Sequence, residues 1–201
     1  MAAASGVREV VLDLGQIAVP FGARELFGAD RPLELELGVG NALFLLAWAG
    51  AHPEIGLLGV ERSRPYLELA ARRVGRRGLS NVRLVRTTAE DLLFRCLAPG
   101  CASAVHVYFP DPWPKKRHHK RRLFQPASVA RLAEALRPGG LLLVKTDHAD
   151  YAAVIAEVLS AEPLFAALDP GEAFSGLPPS GYEAKYGPEG REIRRFACLR
   201  R

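Results

Sequence analysis

Cysteine is scarce in this sequence, and its distribution argues against two kinds of site. The 201 residues include three cysteines, and no Cys-x-x-C pair occurs. An odd number of cysteines without paired spacing does not support a disulfide framework or a zinc site. His52, His106 and His148 also lack the spacing of metal ligands. We therefore expect no metal, and a reducing cytoplasmic environment for the protein.

Long apolar runs are absent as well. None approaches the length of a membrane span, and the first residues, MAAASGVREVVLDLG, lack the basic start and apolar core of a signal peptide. We therefore expect no membrane association. With 49% hydrophobic and 24% charged residues, residues 1–201 suit a single globular domain with a sizeable core. We assign no structure to residues 1–30.

The positive charge of the protein is concentrated in one place. The net charge is +5, and residues 115–122, KKRHHKRR, contain six Lys or Arg and no acid. Without this stretch, which we call the basic segment, the net charge would be −1. Clustered cations favour a polyanionic partner, because binding to phosphates releases counterions.

Strand and helix patterns alternate along the chain. Strand patterns occupy residues 33–37, 55–61, 81–87, 103–109, 141–147, 163–168 and 191–199. Helical patterns occupy residues 42–52, 63–78, 89–96, 126–140 and 150–161. Strands separated by helices predict β-α-β units and a parallel sheet. The last two strands are joined without an obvious helical pattern and therefore predict an antiparallel pair at one edge. We therefore predict an α/β fold with a mostly parallel seven-stranded sheet and helices on both faces.

The first strand ends in a glycine loop, ELGVGN. Gly38 and Gly40 allow a tight turn and a close approach of the backbone to a ligand. The third glycine of a dinucleotide fingerprint is replaced by Leu43, which disfavours an NAD site. Glu36 would repel a pyrophosphate but suits a cationic ligand such as S-adenosylmethionine, which carries a sulfonium and an ammonium group. The alternative is a plain strand-to-helix turn.

An acid also ends the second strand. Glu61 follows Gly40 by 21 residues, and an acid at this position accepts hydrogen bonds from a ribose diol. This feature supports a nucleoside ligand without choosing between NAD and S-adenosylmethionine. The alternative is a salt bridge from Glu61 to Arg62 or Arg64.

The third strand is followed by TTAED. Adenine rings commonly lie at this point in such folds, so we expect Thr88 or the backbone of Ala89 near an adenine. The acids Glu90 and Asp91 have the alternative role of capping the next helix.

The fourth strand ends in FPDPW. Pro110 and Pro112 restrict the backbone on both sides of Asp111, as the placement of a catalytic or base-recognising carboxylate requires. The alternative is a rigid turn in which Asp111 is a cap. Trp113 either stacks on a base or packs against the protein.

Two further polar groups follow later in the chain. Lys145 and Asp147, in KTD after the fifth strand, are candidates for substrate contact, with a helix cap by Asp147 as the alternative. Tyr182 and Glu183 lie in a Gly- and Pro-rich stretch of a kind that folds over a cleft, with a plain surface loop as the alternative.

The string YFPDPWPKKRHHKRRL, together with KTD and the late S-G-Y-E, resembles the bacterial tRNA (guanine-N7)-methyltransferases. The likeness runs from about Leu33 to the C-terminus, and the string is long and distinctive. It implies a Rossmann-like class I methyltransferase that uses S-adenosylmethionine. The implied substrate is the variable-loop guanine at position 46 of tRNA.

The resemblance also implies roles for individual residues. Glu36 and Glu61 match acids that bind the cofactor, and Asp111 matches the aspartate assigned to cofactor and catalysis. Lys115 and Asp147 match substrate-binding positions. In the basic segment we also expect Arg117 and Arg121 to hold tRNA phosphates, in contacts that position the RNA without reading its sequence.

The chain departs from the family pattern at three points. Thr88 stands where the family usually has an acid, so we expect adenine to be recognised differently. The family motif T-x-[YF]-E is here Ser180-Gly181-Tyr182-Glu183, and serine retains the hydroxyl, so we expect Ser180, Tyr182 and Glu183 to contact substrate. The N-terminal segment is shorter than is usual in the family, so tRNA binding should depend more on the basic segment.

Three other functions remain open. An amino-methyltransferase acting on adenine or cytosine would use Asp/Asn-Pro-Pro-aromatic, but Asp111-Pro112-Trp113 has a single proline in another register. An RNA-binding protein with an inactive methyltransferase fold is disfavoured by the acids Glu36, Glu61 and Asp111. An NAD-dependent enzyme is disfavoured by the missing third glycine and by the basic segment. The sequence leaves a monomer and a homodimer equally open.

Overall fold

The computed structural model describes residues 10–186 and 190–201, so residues 1–9 of the N-terminal segment lie outside the described part. The strands are β1 (Val11–Leu12), β2 (Leu33–Leu37), β3 (Gly56–Val60), β4 (Val82–Val85), β5 (Ala102–Tyr108), β6 (Leu136–Thr146), β7 (Phe165–Leu168) and β8 (Arg194–Arg200). The helices are α1 (Ala23–Phe27), α2 (Leu43–Ala51), α3 (Arg64–Arg77), α4 (Ala89–Arg95), α5 (Pro126–Ala135), α6 (Ala149–Ser160), α7 (Pro170–Ala173) and α8 (Gly181–Tyr186). Short 3-10 helices occur at Leu14–Gln16 and Lys116–Arg121.

The described strands form one sheet in the order β1-β4-β3-β2-β5-β6-β8-β7. Strands β1 to β6 run parallel, and β8 is antiparallel to both β6 and β7. The α/β class and the antiparallel pair are therefore confirmed. The sheet has eight strands in the described residues instead of seven, because Val11 and Leu12 pair with β4. Two residues are too few for periodicity to predict a strand.

The strand order creates a crevice beside β2. This strand pairs with β3 on one side and with β5 on the other. The chain passes from β2 to β3 and β4, and then crosses back to β5. The loops that follow β2 and β5 consequently diverge, which is where ligands bind in open α/β sheets.

Successive side chains of β2 point to opposite faces of the sheet. Leu33, Leu35 and Leu37 belong to the larger core, beneath α4, α5 and α6. The other face is covered by α2 and α3, whose buried side chains form a second cluster. Glu34 and Glu36 project from β2 toward this second face and are both buried, so the strand carries two carboxylates into the interior.

Helix ends follow the sequence signals at α3 but not at α5. Ser63 is the N-cap of α3, and Gly78 ends it with a φ of +62°, which glycine adopts without steric cost. The prediction of a helix over residues 126–140 is wrong at its end, because α5 ends at Ala135. Leu136, which is buried, is already the first residue of β6 and pairs with Ala102 of β5. The Pro-Gly-Gly at residues 138–140 lies within β6, where the pairing with β5 is irregular.

Candidate functional site

A cleft of about 710 Å³ opens at the carboxyl ends of β2, β3, β4 and β5. The stretches that line it include ends of four sequence motifs, ELGVG, GVE, TTAED and FPDPW. We expect ELGVG, GVE, FPDPW and KTD, which all stand at strand ends, to converge on one cleft. The first three do, but KTD is not part of this lining. Lys145 of KTD instead lines a neighbouring cleft of about 580 Å³.

The glycine loop after β2 is anchored to β3. The N–H groups of Gly38 and Val39 donate to the carbonyl oxygen of Val60 at 2.9 and 3.1 Å. Gly38 and Gly40 have φ values of +89° and +50°, which disfavour any residue with a Cβ. No heavy atom lies within 4 Å of the position that a Cβ would take at either glycine, so the loop leaves open space on the cleft side.

Glu61 is held by the backbone on both of its oxygens. Oε2 accepts from the N–H of Gly40 at 3.0 Å, and Oε1 accepts from the N–H of Ser63 at 2.8 Å. The residue is buried and lines the cleft. Each carboxylate oxygen has a second lone pair, so Glu61 remains able to accept hydrogen bonds from a diol.

Glu36 lies two residues before Gly38, is 4% exposed and does not itself line the cleft. Its Oε2 has no hydrogen-bond partner in the described part of the chain. Burial raises the pKa of Glu36 well above its usual range, a hydrogen bond from the backbone of Leu45 lowers it, and repulsion by Glu61 raises it further. A buried, unpartnered acceptor of this kind fits a cationic ligand group.

Thr88 caps α4. Its Oγ1 accepts from the N–H of Asp91 at 3.0 Å and donates to Asp91 Oδ2 at 3.0 Å. The capping role that the sequence left open is thus performed by the threonine and supported by an acid. Thr88 and Ala89 both line the cleft, and contact of either with an adenine stays a prediction.

Asp111 lies at the rim of the cleft with 60% of its side chain exposed. Its Oδ2 accepts a hydrogen bond from Nη2 of Arg62 at 2.7 Å. The loop is strained on both sides of Asp111, because Phe109 and Trp113 have φ values of +54° and +44°. Bulky residues rarely adopt positive φ values, and they keep this backbone conformation only when the surrounding structure imposes it.

The basic segment divides into an exposed part and one buried residue. Lys115 and the cations of the following 3-10 helix are exposed. Arg122, by contrast, is 5% exposed; its Nε donates to the carbonyl oxygen of Pro112 at 2.7 Å, and its guanidinium lies 4.8 Å from the ring centre of Tyr151. The interpretation of the whole segment as a phosphate-binding surface is therefore wrong for Arg122, because the fold draws it inward.

The late motif forms a capping box at the start of α8. Ser180 Oγ accepts from the N–H of Glu183 at 3.1 Å, and Glu183 Oε2 accepts from the N–H of Ser180 at 2.8 Å. The same Glu183 oxygen accepts from Nζ of Lys145 at 2.8 Å. Burial lowers the pKa of Lys145, against the opposing effect of Glu183. Ser180 and Glu183 thus have a structural role, and substrate contact by either is an additional prediction.

Asp147 and Tyr182 are brought together and linked to the loop of Asp111. Tyr182 donates from its hydroxyl to Asp147 Oδ2 at 2.8 Å. The ring of Phe109 stacks on that of Tyr182, with 4.3 Å between centroids. Tyr182 therefore contacts the segment that holds Asp111, and Asp147 is linked to that segment through Tyr182.

Gly181 is required for a close contact between α8 and the glycine loop. A Cβ at Gly181 would lie 1.9 Å from Oδ1 of Asn41, so any other residue at this position would displace one of the two. Asn41 was not identified from the sequence. Its only signal was its position directly after Gly40.

The sequence also gave no role to a buried polar chain behind the cleft. Glu34 Oε2 accepts from Nε1 of Trp48 at 2.8 Å and lies 2.9 Å from Nε2 of His106. The other ring nitrogen of His106 lies 2.8 Å from the hydroxyl of Tyr108, which lines the cleft. The alternation in LELEL and VHVY places these groups on one face, which was the available signal.

Two kinds of feature are absent from the described residues. No group of three or more His, Cys, Asp or Glu side chains in these residues is arranged to hold a metal ion. In the same residues, no helix combines the length and apolar character needed to cross a membrane.

A protein family described as "Putative methyltransferase" matches residues 30–195 of the chain. The chain belongs to this methyltransferase family. A relative from Nocardia farcinica is 48% identical over 150 residues, which are 75% of this chain and 56% of the relative. One from Mycobacterium avium is 42% identical over 178 residues, 87% of this chain and 69% of the relative. Both are named tRNA (guanine-N(7)-)-methyltransferase.

The matched part of the chain thus spans little more than half of the Nocardia relative's own length. Among solved structures, the aminoglycoside resistance methyltransferase NpmB1 superposes with a TM-score of 0.60 at 18% identity, covering 90% of this chain and 95% of that one. TrmN from Thermus thermophilus gives 0.60 at 20% identity, covering 89% and 47%. These likenesses show that the chain has the fold of class I methyltransferases, as the resemblance implied.

Proposed function

We propose that this methyltransferase transfers a methyl group from S-adenosylmethionine to N7 of the guanine at position 46, in the variable loop of tRNA. The observation that carries the proposal is the position of Asp111. Its exposed carboxylate lies at the rim of a nucleoside-sized cleft, four residues before the exposed cations of the basic segment begin. The names of the relatives support the same substrate and the same atom.

The residues that line the cleft, together with the buried Glu36 two residues before Gly38, suit S-adenosylmethionine better than a dinucleotide. The unpartnered oxygen of Glu36 would accept from an ammonium group, and Glu61 would accept from the ribose hydroxyls. Thr88 and Ala89 would lie against the adenine, and Gly38 and Gly40 would leave room for the backbone of the ligand. When bound, S-adenosylmethionine supplies an electrophilic methyl group on a sulfonium.

The chemistry at the acceptor requires positioning more than proton transfer. Guanine N7 has a free lone pair and no proton, so no general base is needed at the nucleophile. The product base is cationic. Asp111 would accept hydrogen bonds from N1–H and the N2 amine of guanine, which fixes the base, and its negative charge would stabilise the positive charge that develops on the purine.

Docking of tRNA would involve cations and polar groups around the cleft. Lys115, Arg117 and Arg121 are exposed and would hold phosphates without reading sequence. Asp147 and Tyr182, next to Phe109, would contact the substrate nucleotide. Extruding a guanine from the tertiary core of tRNA costs a few kcal/mol, which backbone contacts would offset. We place this reaction in the cytoplasm.

One experiment tests the reaction directly. The protein and S-adenosylmethionine are incubated with two transcripts of one tRNA, with guanine or adenine at position 46, and the digested nucleosides are identified. 7-Methylguanosine from the first transcript alone supports the proposal. 6-Methyladenosine would indicate an amino-methyltransferase instead. No product together with no heat of S-adenosylmethionine binding in calorimetry would indicate an inactive RNA-binding protein.

A further inference from the structure

Trp113 and two arginines form a cluster beside the candidate catalytic carboxylate. We propose that Arg62, Trp113 and Arg121, which we call the tryptophan clamp, bind the nucleotide next to the target guanine. The base of that nucleotide stacks on the indole of Trp113, and the two guanidiniums contact its phosphate. This inference deepens the proposed function and rests on an RNA substrate.

The clamp lies between the site of chemistry and the site of docking. Trp113 follows Asp111 by two residues and precedes Lys115 by two. All three clamp residues line the same cleft as Asp111. A strand whose guanine reaches Asp111 and whose phosphates reach the basic segment must pass this indole.

The surroundings of Trp113 are those of a binding surface. The guanidinium carbon of Arg62 lies 5.8 Å from the ring centre of Trp113, and that of Arg121 lies 5.0 Å from it. The edge of the ring meets His118, with 5.7 Å between centroids. Trp113 is half-buried and belongs to none of the hydrophobic clusters of the described residues. Packing in the core therefore does not account for this indole.

The backbone gives a second, independent indication. Trp113 has a φ of +44°, which is a genuine outlier for a bulky residue. The bond from Arg122 to the carbonyl oxygen of Pro112 holds the residue immediately before it. Strain that is imposed by the fold and not compensated by core burial is a feature of ligand-binding segments.

The chemistry of the clamp fits RNA in particular. Indole and guanidinium planes both stack on nucleobases without reading sequence, and guanidinium groups bind phosphate in bidentate fashion. Arg62 also pairs with Asp111, so it contacts both the carboxylate and the indole. The clamp is therefore positioned to accept a nucleotide of any base adjacent to the guanine.

The test combines a protein change with an RNA change. The dissociation constant is measured for wild type and Trp113→Ala, each with intact tRNA and with tRNAs that carry an abasic residue on the 5′ or the 3′ side of guanine 46. Trp113→Ala should weaken binding roughly 5- to 100-fold, the effect of losing one stacked base. One of the two abasic positions should weaken wild-type binding by a similar factor and should not weaken the variant further.

The proposal would be overturned if, at both abasic positions, the affinity loss from Trp113→Ala and the loss from the abasic residue multiplied in full. It would also be overturned if Trp113→Ala bound tRNA as wild type does. Trp113→Tyr should retain most of the affinity, which a loss of folding would not explain. Phe94→Ala is the matched control, because it removes an exposed aromatic ring outside the cleft, whose centre lies 5.7 Å from the guanidinium carbon of Arg131. Its binding should be unchanged. Binding is measured without methyl transfer, so this test is independent of the reaction. If the two affinity losses are coupled but the protein forms no 7-methylguanosine, the clamp stands and the proposed reaction is contradicted.

Discussion

Arg122 donates a hydrogen bond from Nε to the carbonyl oxygen of Pro112 at 2.7 Å. This contact joins the last residue of the basic segment to the residue after Asp111. The loop that follows Asp111 is therefore held together at its two ends. The last cation of the segment therefore holds the loop, while the exposed cations before it remain available to phosphates. Neighbouring arginines thus have different roles.

Arg122→Ala should lower the free energy of unfolding by about 2–3 kcal/mol, because it removes a charged hydrogen bond and the packing on Tyr151. Arg121→Ala is the matched control; it should change stability by less than about 0.5 kcal/mol and weaken tRNA binding. Urea unfolding measures the first effect, and tRNA affinity at several salt concentrations measures the second. An Arg122 variant of normal stability whose salt slope falls by about one would show that this residue contacts phosphate instead.

Glu36→Gln should stabilise the free protein increasingly as pH rises, and weaken S-adenosylmethionine binding. The folded-state pKa of Glu36 is raised, chiefly by burial. Its contribution to stability is therefore complete below the unfolded pKa and is lost as pH rises toward the folded value. The stability difference between variant and wild type should grow from about pH 4 upward. Loss of a charge-assisted bond should weaken cofactor binding about 10- to 100-fold.

Glu34→Gln, on the same strand, is a control for which we expect the opposite pH dependence of the free energy of unfolding. Burial alone would raise the pKa of Glu34, but hydrogen bonds from His106 and Trp48 outweigh it, and the pKa is lowered. Its stabilising contribution is present above the unfolded pKa and is lost as pH falls through the folded value. Denaturant titrations should thus give slopes of opposite sign for the two variants, above about pH 4 for Glu36→Gln and below about pH 4 for Glu34→Gln. Equal slopes would contradict the assignment of Glu36 as the uncompensated carboxyl.

Glu183→Gln should lower the free energy of unfolding by roughly 3 kcal/mol, because it leaves the buried ammonium of Lys145 without its closest carboxylate. Ser180→Ala, which removes only the cap, should cost about 1 kcal/mol. In the double variant Lys145→Met/Glu183→Gln, much of the larger loss should be recovered. Thermal unfolding of the three variants measures this. Normal stability combined with weakened tRNA binding would instead indicate that Glu183 acts only on the substrate.

The order of elements and the place of the cleft could be predicted from the sequence, because both depend on short-range patterns. Alternating strand and helix signals give the parallel sheet, and glycines or prolines at strand ends mark the ligand-binding edge. The capping box at Ser180 was also present in the sequence as S-x-x-E, although we interpreted its residues through the family motif instead.

The partners of individual side chains could not be predicted in the same way. Two contacts join residues that are distant in the chain, namely the pairing of Arg62 with Asp111 and the contact of Gly181 with Asn41. The burial of Arg122 likewise distinguishes it from the exposed cations that precede it in the sequence. All three features depend on how loops from separate strands meet, and no local period encodes that. The early end of α5 has the same cause. Leu136 pairs with Ala102 of the neighbouring strand, so the helix ends before it reaches the Pro-Gly-Gly that was expected to end it.

The most direct test of the account locates the methyl group and asks whether Asp111 is needed for its transfer. The tRNA is incubated with the protein at saturating S-adenosylmethionine, reduced with borohydride and treated with aniline, which breaks the chain at 7-methylguanosine. Wild type should give one break, at guanine 46, and Asp111→Ala should form it about 100- to 1000-fold more slowly. No break with wild type, or an equal rate with Asp111→Ala, would contradict the central claim.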